Sequence, residues 1–267
     1  MQPFDWIVFT AFLVFVVVDG LRRARGQHDA ESYFLAGRTV PWWAVGLSIM
    51  ATQASAITMV GTTGQGWADG LRFVQFYFAL PLAMLILAVI AVPAYHRARV
   101  ATAYEYLGRR FDPKTRALSA LLFLILRGLS VGFVIYAPSL VLAKVFSVPL
   151  SWTVLGMGGI AVLYTALGGL SAVISTDVKQ MSVMVLGLLA ALAVVSWKLH
   201  QGIGLGAAWD LAEAAGRTRV VDWSWNPGEK YTVWSSLLGG LFLFLSYFGT
   251  DQSQVQRLLA GKSVRAT

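Results

Sequence analysis

Between Trp42 and Gly66 the chain reads WWAVGLSIMATQASAITMVGTTGQG, a stretch long enough to cross a bilayer whose middle holds Thr52, Gln53, Ser55 and Thr58 in place of leucine. A spanning helix needs about 20 mostly apolar residues. Lipid offers no partner for a loosened backbone carbonyl or amide, so an interrupted span has to sit inside protein or line a watery cavity. Broken helices near the midplane are where secondary transporters hold solute and coupling ion. The competing reading is a continuous helix whose small polar residues allow close helix packing.

The rest of the composition agrees with a polytopic membrane protein. The chain is 57% hydrophobic and 13% charged, with a mean hydropathy of +0.65, and an ordinary soluble domain carries about twice that share of charge. The formal net charge is +8, but the basic residues lie in short loops beside apolar runs, which reads as a topology signal rather than a nucleic-acid surface. There is no cysteine, which excludes disulfides, thiol catalysis and cysteine metal sites. His28, His96 and His200 sit near span ends without ligand spacing and read as interfacial residues. No nucleophile with a paired base is visible, so an enzyme is not expected.

Seven spans are expected. The first is the apolar run Trp6 to Val18, followed by Arg22, Arg23 and Arg25. A secretory signal would carry its positive charge before the run, so this reads as a retained span. The interrupted span follows, opened by Pro41. Others run from about Phe73 to Ala94, Ala117 to Ala143, Leu150 to Leu167, Met181 to Trp197 and Tyr231 to Gly249, and residues 198–232 read as the one sizeable loop. Fourteen Lys and Arg fall in the loops of one side and six in those of the other, which places the N-terminus outside and the C-terminus inside.

Two further segments carry polar chemistry at span ends: LGGLSAVISTDVKQ, Leu167 to Gln180, and SYFGTDQSQVQR, Ser246 to Arg257. Asp177 at the mouth of a span suits an ion path, and equally suits an N-terminal cap together with Ser175 and Thr176. Arg127 lies about ten residues inside its span, where a cation costs at least about 2.5 kcal/mol on insertion scales unless it is paired or reaches the surface. It reads either as one half of a structural ion pair or as an attractor for an anionic solute.

AGRTVPWWAVGLSIMATQASA, GGLSAVISTDVKQ and DQSQVQR resemble, in order and spacing, the signature segments of the sodium/solute symporter family. TAYEYLGRRF, IYAPSL and QSQVQR are most similar to its monocarboxylate, vitamin and iodide branch. The resemblance covers essentially the whole chain. It implies an all-α integral membrane protein with a LeuT-type inverted-repeat core, here a leading helix and core helices one to six within a single partial domain, 1–267. The leading helix is 4–20, the first five-helix repeat 42–199 and the start of the second repeat 231–267. The broken span is then core helix one, and the seventh span its partner in the second repeat, with a second break near Gly249 and Thr250.

By the same resemblance the backbone carbonyls of Ala51 and Ala54 would hold sodium (Na+), the coupling ion. Gln53, Ser55 and Thr58 would face the solute. Tyr247 falls where sugar-carrying relatives place an aromatic gate, and Asp177 matches an acid on the sodium exit path. Tyr247 also reads as an interface aromatic, and Ser55 as a bond to its own helix. The implied function is sodium-coupled symport of a small organic solute, a monocarboxylate or similar anion, by alternating access. The implied setting is multi-pass in the plasma (inner) membrane among its lipids, with no nucleic-acid partner. A symporter-like sensor domain of a signalling protein is the rival. The family's second repeat is incomplete here, so the missing C-terminal half of the same protein is expected as a partner. The 267-residue chain is not expected to transport alone; sodium-dependent uptake by it in liposomes would contradict this.

Overall fold

The computed structural model describes residues 3–24 and 29–265; Arg25, read above as following the first span, and His28, read as interfacial, lie outside them, as do the chain's first two and last two residues. Among the described residues there are twelve α-helices and no strand, only an isolated parallel bridge between Val40 and Gly261. The helices are α1 (Pro3–Ala24), α2 (Ala30–Leu35), α3 (Trp42–Gln53), α4 (Ala56–Asp69), α5 (Ala79–Val89), α6 (Ala91–Ala98), α7 (Ala103–Arg110), α8 (Pro113–Phe146), α9 (Leu150–Gln201), α10 (Leu205–Ala214), α11 (Val233–Thr250) and α12 (Gln252–Leu259). By length and hydropathy four helical stretches among the described residues qualify as membrane spans: Ile57–Ala98, Pro113–Phe146, Thr165–Gln201 and Val233–Thr250.

Both interruptions are present. α3 stops at Gln53, and Ala54 is extended (φ −81°, ψ 104°) before α4 begins at Ala56. α11 stops at Thr250, and Asp251 is extended (φ −69°, ψ 121°) before α12, whose N-terminus it caps by accepting the Ser253 amide at 2.8 Å. The second break therefore falls one residue beyond Gly249 and Thr250.

Three expectations need correction. The fifth span ends as expected at Gly169, whose backbone (φ 54°, ψ −162°) is not helical, but helix resumes directly beyond it within α9, so the stretch to Gln180 is helix rather than loop. Ser175 to Asp177 consequently lie inside a helix and do not cap one. The third span opens as a 3-10 stretch, Gly70–Phe78, before α5; Pro81 lacks an N–H and crowds the carbonyl four residues back, at Tyr77, which disfavours α geometry there. Residues 198–232 are not one loop, because LGAAWDLAEA forms α10, a run dominated by good helix formers.

The chain divides into two compact units. One takes in the chain up to Ile57, Val92–Met181 and the chain from Asp251; the other is Thr58–Ala91 with Ser182–Thr250. Two of the boundaries fall beside the two helix interruptions.

In the first unit Val40, Ala44 and Val45 pack against Leu170, Ile174 and Ala260. A second cluster joins Leu35, Ala103, Val255 and Leu259. α1 approaches α9 closely, since a Cβ on Gly168 would stand 3.1 Å from the Gly20 carbonyl. Asp19 of α1 pairs with Lys179 and accepts the Ser175 hydroxyl at 3.0 Å.

In the second unit α11 packs on α5 and on the 3-10 stretch before it. Contact is close because Gly240 has no side chain: a Cβ there would sit 2.9 Å from the Phe76 carbonyl. Gln75, fully buried, ties the connecting segment down by accepting the Asp222 amide at 2.9 Å and donating to the Tyr231 carbonyl at 3.3 Å.

Candidate functional site

The first interruption gathers four of the expected residues. Ala51 lies in the last turn of α3 and Gln53 is its final residue; Ala54 and Ser55 form the break itself. Gln53 is exposed, and Ala51, Ala54 and Ser55 are half-buried. A helix end leaves its last carbonyls without the donors a continuing helix would supply, so the break presents oxygens of the kind a hard monovalent cation binds. Among the described residues no group of three or more His, Asp or Glu side chains could hold a metal.

Thr58 and Tyr247 belong to the other unit. Thr58 is in the first turn of α4, with its carbonyl accepting the Thr62 hydroxyl at 2.7 Å. Tyr247 is half-buried near the end of α11 and meets Phe248 edge to face, with ring centroids 5.2 Å apart.

Asp177 is not an isolated carboxylate. Its Oδ2 accepts the Ser48 hydroxyl at 2.5 Å and Arg257 Nη2 at 2.9 Å, while Arg257 Nε donates to Ser48 Oγ at 2.8 Å. Arg257 Nη1 donates to the Ser253 carbonyl at 2.5 Å. Ser48 is fully buried, and the Arg257 and Asp177 side chains keep only 10% and 14% of their exposure. Motif resemblance puts Arg257 in a signature segment and gives it no task. The signal that could have found it is a cation five residues into a helix that follows a break, too deep to be a free surface charge.

The other signature residues form the seat of α12. Gln252 Oε1 accepts the Ala103 amide at 2.9 Å, and Gln256 Nε2 donates to the Phe34 carbonyl at 2.6 Å. Arg38 bonds the carbonyls of Val100, at 3.1 Å, and Leu259, at 3.3 Å, and pairs with Glu31. The Tyr104 phenol, pushed up to about 12 by burial and then by the Asp251 carboxylate, stays protonated beside that seat. TAYEYLGRRF and QSQVQR thus meet through packing and backbone capture.

Arg127 stands near the middle of α8, partly exposed, and forms no ion pair with any described residue. The structural pair that would offset its charge is therefore not made among them. A cavity of about 400 Å³ in the first unit is lined by Thr39, Trp43, Ser171, Ser175 and Lys179 among others, and by none of the expected site residues.

The Sodium:solute symporter family profile matches residues 33–267. The chain is 37% identical over 265 residues to a sodium-dependent multivitamin transporter of Oryctolagus cuniculus, covering 98% of this chain and 41% of that protein. It is 34% identical over 262 residues to sodium-coupled monocarboxylate transporter 1 of Homo sapiens, covering 97% and 42%. Identity to the Homo sapiens sodium/iodide cotransporter is 34% over 245 residues, covering 90% and 37%. The chain thus spans about two fifths of the length of these relatives. Among solved structures, a substrate-bound, outward-open Na+-coupled sialic acid symporter superposes with a TM-score of 0.88 at 24% identity, over 99% of this chain and 55% of that one. The fold is that of the corresponding part of a LeuT-type transporter.

Proposed function

Since the chain belongs to the sodium:solute symporter family, we propose that it is part of a sodium-coupled symporter that moves a small organic solute by alternating access. The observation that carries this is the pair of interruptions, at Ala54–Ser55 and at Asp251. An extended residue inside a membrane segment leaves main-chain oxygens for an ion, and beside each of these points the chain passes from one compact unit to the other. On this reading residues 42–199 are the first repeat and residue 231 begins the second. The Ala51 and Ala54 carbonyls hold sodium, and Gln53, Ser55, Thr58 and Tyr247 serve the solute. The protein lies in the plasma membrane with its N-terminus outside.

The solute is a monocarboxylate or similar anion. The similar proteins named for monocarboxylates and iodide support this, as does Arg127, a cation near mid-span with no ion-pair partner among the described residues. The energetics set a requirement. A potential of about 100 mV contributes roughly 2.3 kcal/mol per charge, and a tenfold gradient adds about 1.4 kcal/mol. A monoanion moving with one sodium is electroneutral and gains only the gradient, so concentrative uptake of an anion uses more than one ion.

Counterflow of radiolabelled acetate, pyruvate, lactate, proline and glucose in proteoliposomes, with and without sodium, tests this on the gene read to its natural stop codon. Sodium-dependent exchange of a carboxylate supports the reading. Sodium-independent exchange, or silence across the panel, counts against it and favours a sensing role.

A further inference from the structure

α3 precedes the first interruption and α12 follows the second, and both belong to the same unit. A single charge cluster joins them through α9. Asp177 Oδ2 takes both Ser48 of α3 and Arg257 of α12, Arg257 also donates to Ser48, and its remaining nitrogen holds the Ser253 carbonyl. A buried ion pair contributes little net stability compared with apolar packing of the same volume. Two full charges at this depth therefore call for a reason beyond holding helices together.

Their position supplies one. Ser48 precedes Ala51 by three residues, about 4.5 Å along the helix axis at 1.5 Å per residue, on the side toward Pro41, where α3 begins. An ion leaving the Ala51 and Ala54 carbonyls toward that side passes the level of the Asp177 carboxylate. Bare, that carboxylate would attract sodium whether or not solute had arrived. With the guanidinium on it, the charge is already answered.

We propose that Arg257 is a tethered cation that occupies Asp177 whenever sodium does not, so that the Ser48–Asp177–Arg257 cluster is a latch against sodium passing without solute. This rests on the reading of the protein as sodium-coupled with Asp177 on the ion's way out. The latch is tied to both interruptions. Arg257 is anchored to Ser253, two residues beyond the extended Asp251, and Ser48 stands six residues before the extended Ala54. A change of backbone at either break shifts one arm of the cluster, and losing the Arg257 arm frees the carboxylate. Arg257 is thus a positioning residue for ion coupling and touches no solute.

The test measures radiolabelled sodium flux without solute, and sodium moved per solute, for the full-length protein in proteoliposomes. Arg257→Gln is expected to raise solute-independent sodium flux by about tenfold or more, the change that about 1.4 kcal/mol corresponds to, and to lower the solute moved per sodium. Arg257→Lys keeps the cation and stays close to wild type. Exchanging the charges, Asp177→Arg with Arg257→Asp, restores tightness. A merely structural clamp gives the opposite pattern: a lowered unfolding temperature for Arg257→Gln with leak and coupling at wild-type values, which overturns the latch. Where Arg257→Gln fails to fold, Arg257→His decides, because an imidazole is a cation below its ordinary pKa of about 6.5 and neutral above it. A solute-independent leak that rises above wild type as pH is raised supports the latch, and a wild-type leak at both acid and alkaline pH overturns it. Wild-type solute counterflow that ignores sodium is a separate result, and it removes the sodium reading and the latch together.

Discussion

Asp177 and Arg257 are 80 residues apart in the chain and 2.9 Å apart in the fold, joined over the fully buried Ser48 hydroxyl. Asp177→Asn leaves the guanidinium without its counter-charge, and losing one partner of such a pair costs roughly 3–5 kcal/mol. Denaturant unfolding of the full-length protein in detergent is expected to show a loss of this order. The double replacement Asp177→Leu with Arg257→Met is expected to recover most of it, because no unpaired charge is left behind.

Arg127 is expected to discriminate by the charge of the solute. Arg127→Gln should reduce sodium-driven uptake of a carboxylate by about tenfold or more while leaving uptake of its uncharged amide analogue close to wild type. Paired uptake assays in proteoliposomes check this. Unchanged uptake of every anion would remove Arg127 from the solute's path.

Part of this fold is legible in local residue pattern and part is not, and particular residues show why. The break at Ala54 is announced by Thr52, Gln53 and Ser55 interrupting an apolar run, a signal carried by neighbours. α10 and the early start of the sixth span in α9 have no such signal. The first is a short helix in a polar segment, where hydropathy says nothing. The second is the helix that resumes directly beyond the non-helical Gly169, in a stretch too polar for hydropathy to place.

Gly70 should resist substitution. Its φ is +66°, and a Cβ would stand 2.6 Å from the Arg217 carbonyl oxygen, beside the bond that the Leu71 amide makes to that same oxygen at 2.8 Å. Gly70→Ala combines backbone strain with a clash against main chain, for a cost of roughly 1–3 kcal/mol. A lowered unfolding temperature is expected, with the connection after α10 becoming more open to proteolysis.

Asp222 links stability to acid. The Ser224 amide and hydroxyl, and after them the Arg219 and Arg72 guanidinium groups, hold its carboxyl below the usual carboxylate value. A carboxyl depressed in the folded state contributes stability that is fully present above its ordinary value and is lost as pH falls through the lowered one. Wild type should therefore lose stability at the acid end of a thermal-unfolding series. Asp222→Asn should be less stable at neutral pH and flatter over the acid range.

Residue order is enough to say that this chain crosses a membrane many times, that one of its spans is interrupted, and which family it resembles. Hydropathy, helix propensity and the run of residues in a motif are properties of neighbours along the chain, and they survive without a fold. What the motifs do is settled only by packing. QSQVQR is seated on TAYEY through Gln252 and on the Phe34 carbonyl through Gln256, and Asp177 becomes the partner of Arg257 rather than a helix cap. Those contacts join residues up to 222 positions apart. A guanidinium finds one carboxylate among many only when helices from three parts of the chain have packed and excluded the water that would otherwise answer both charges.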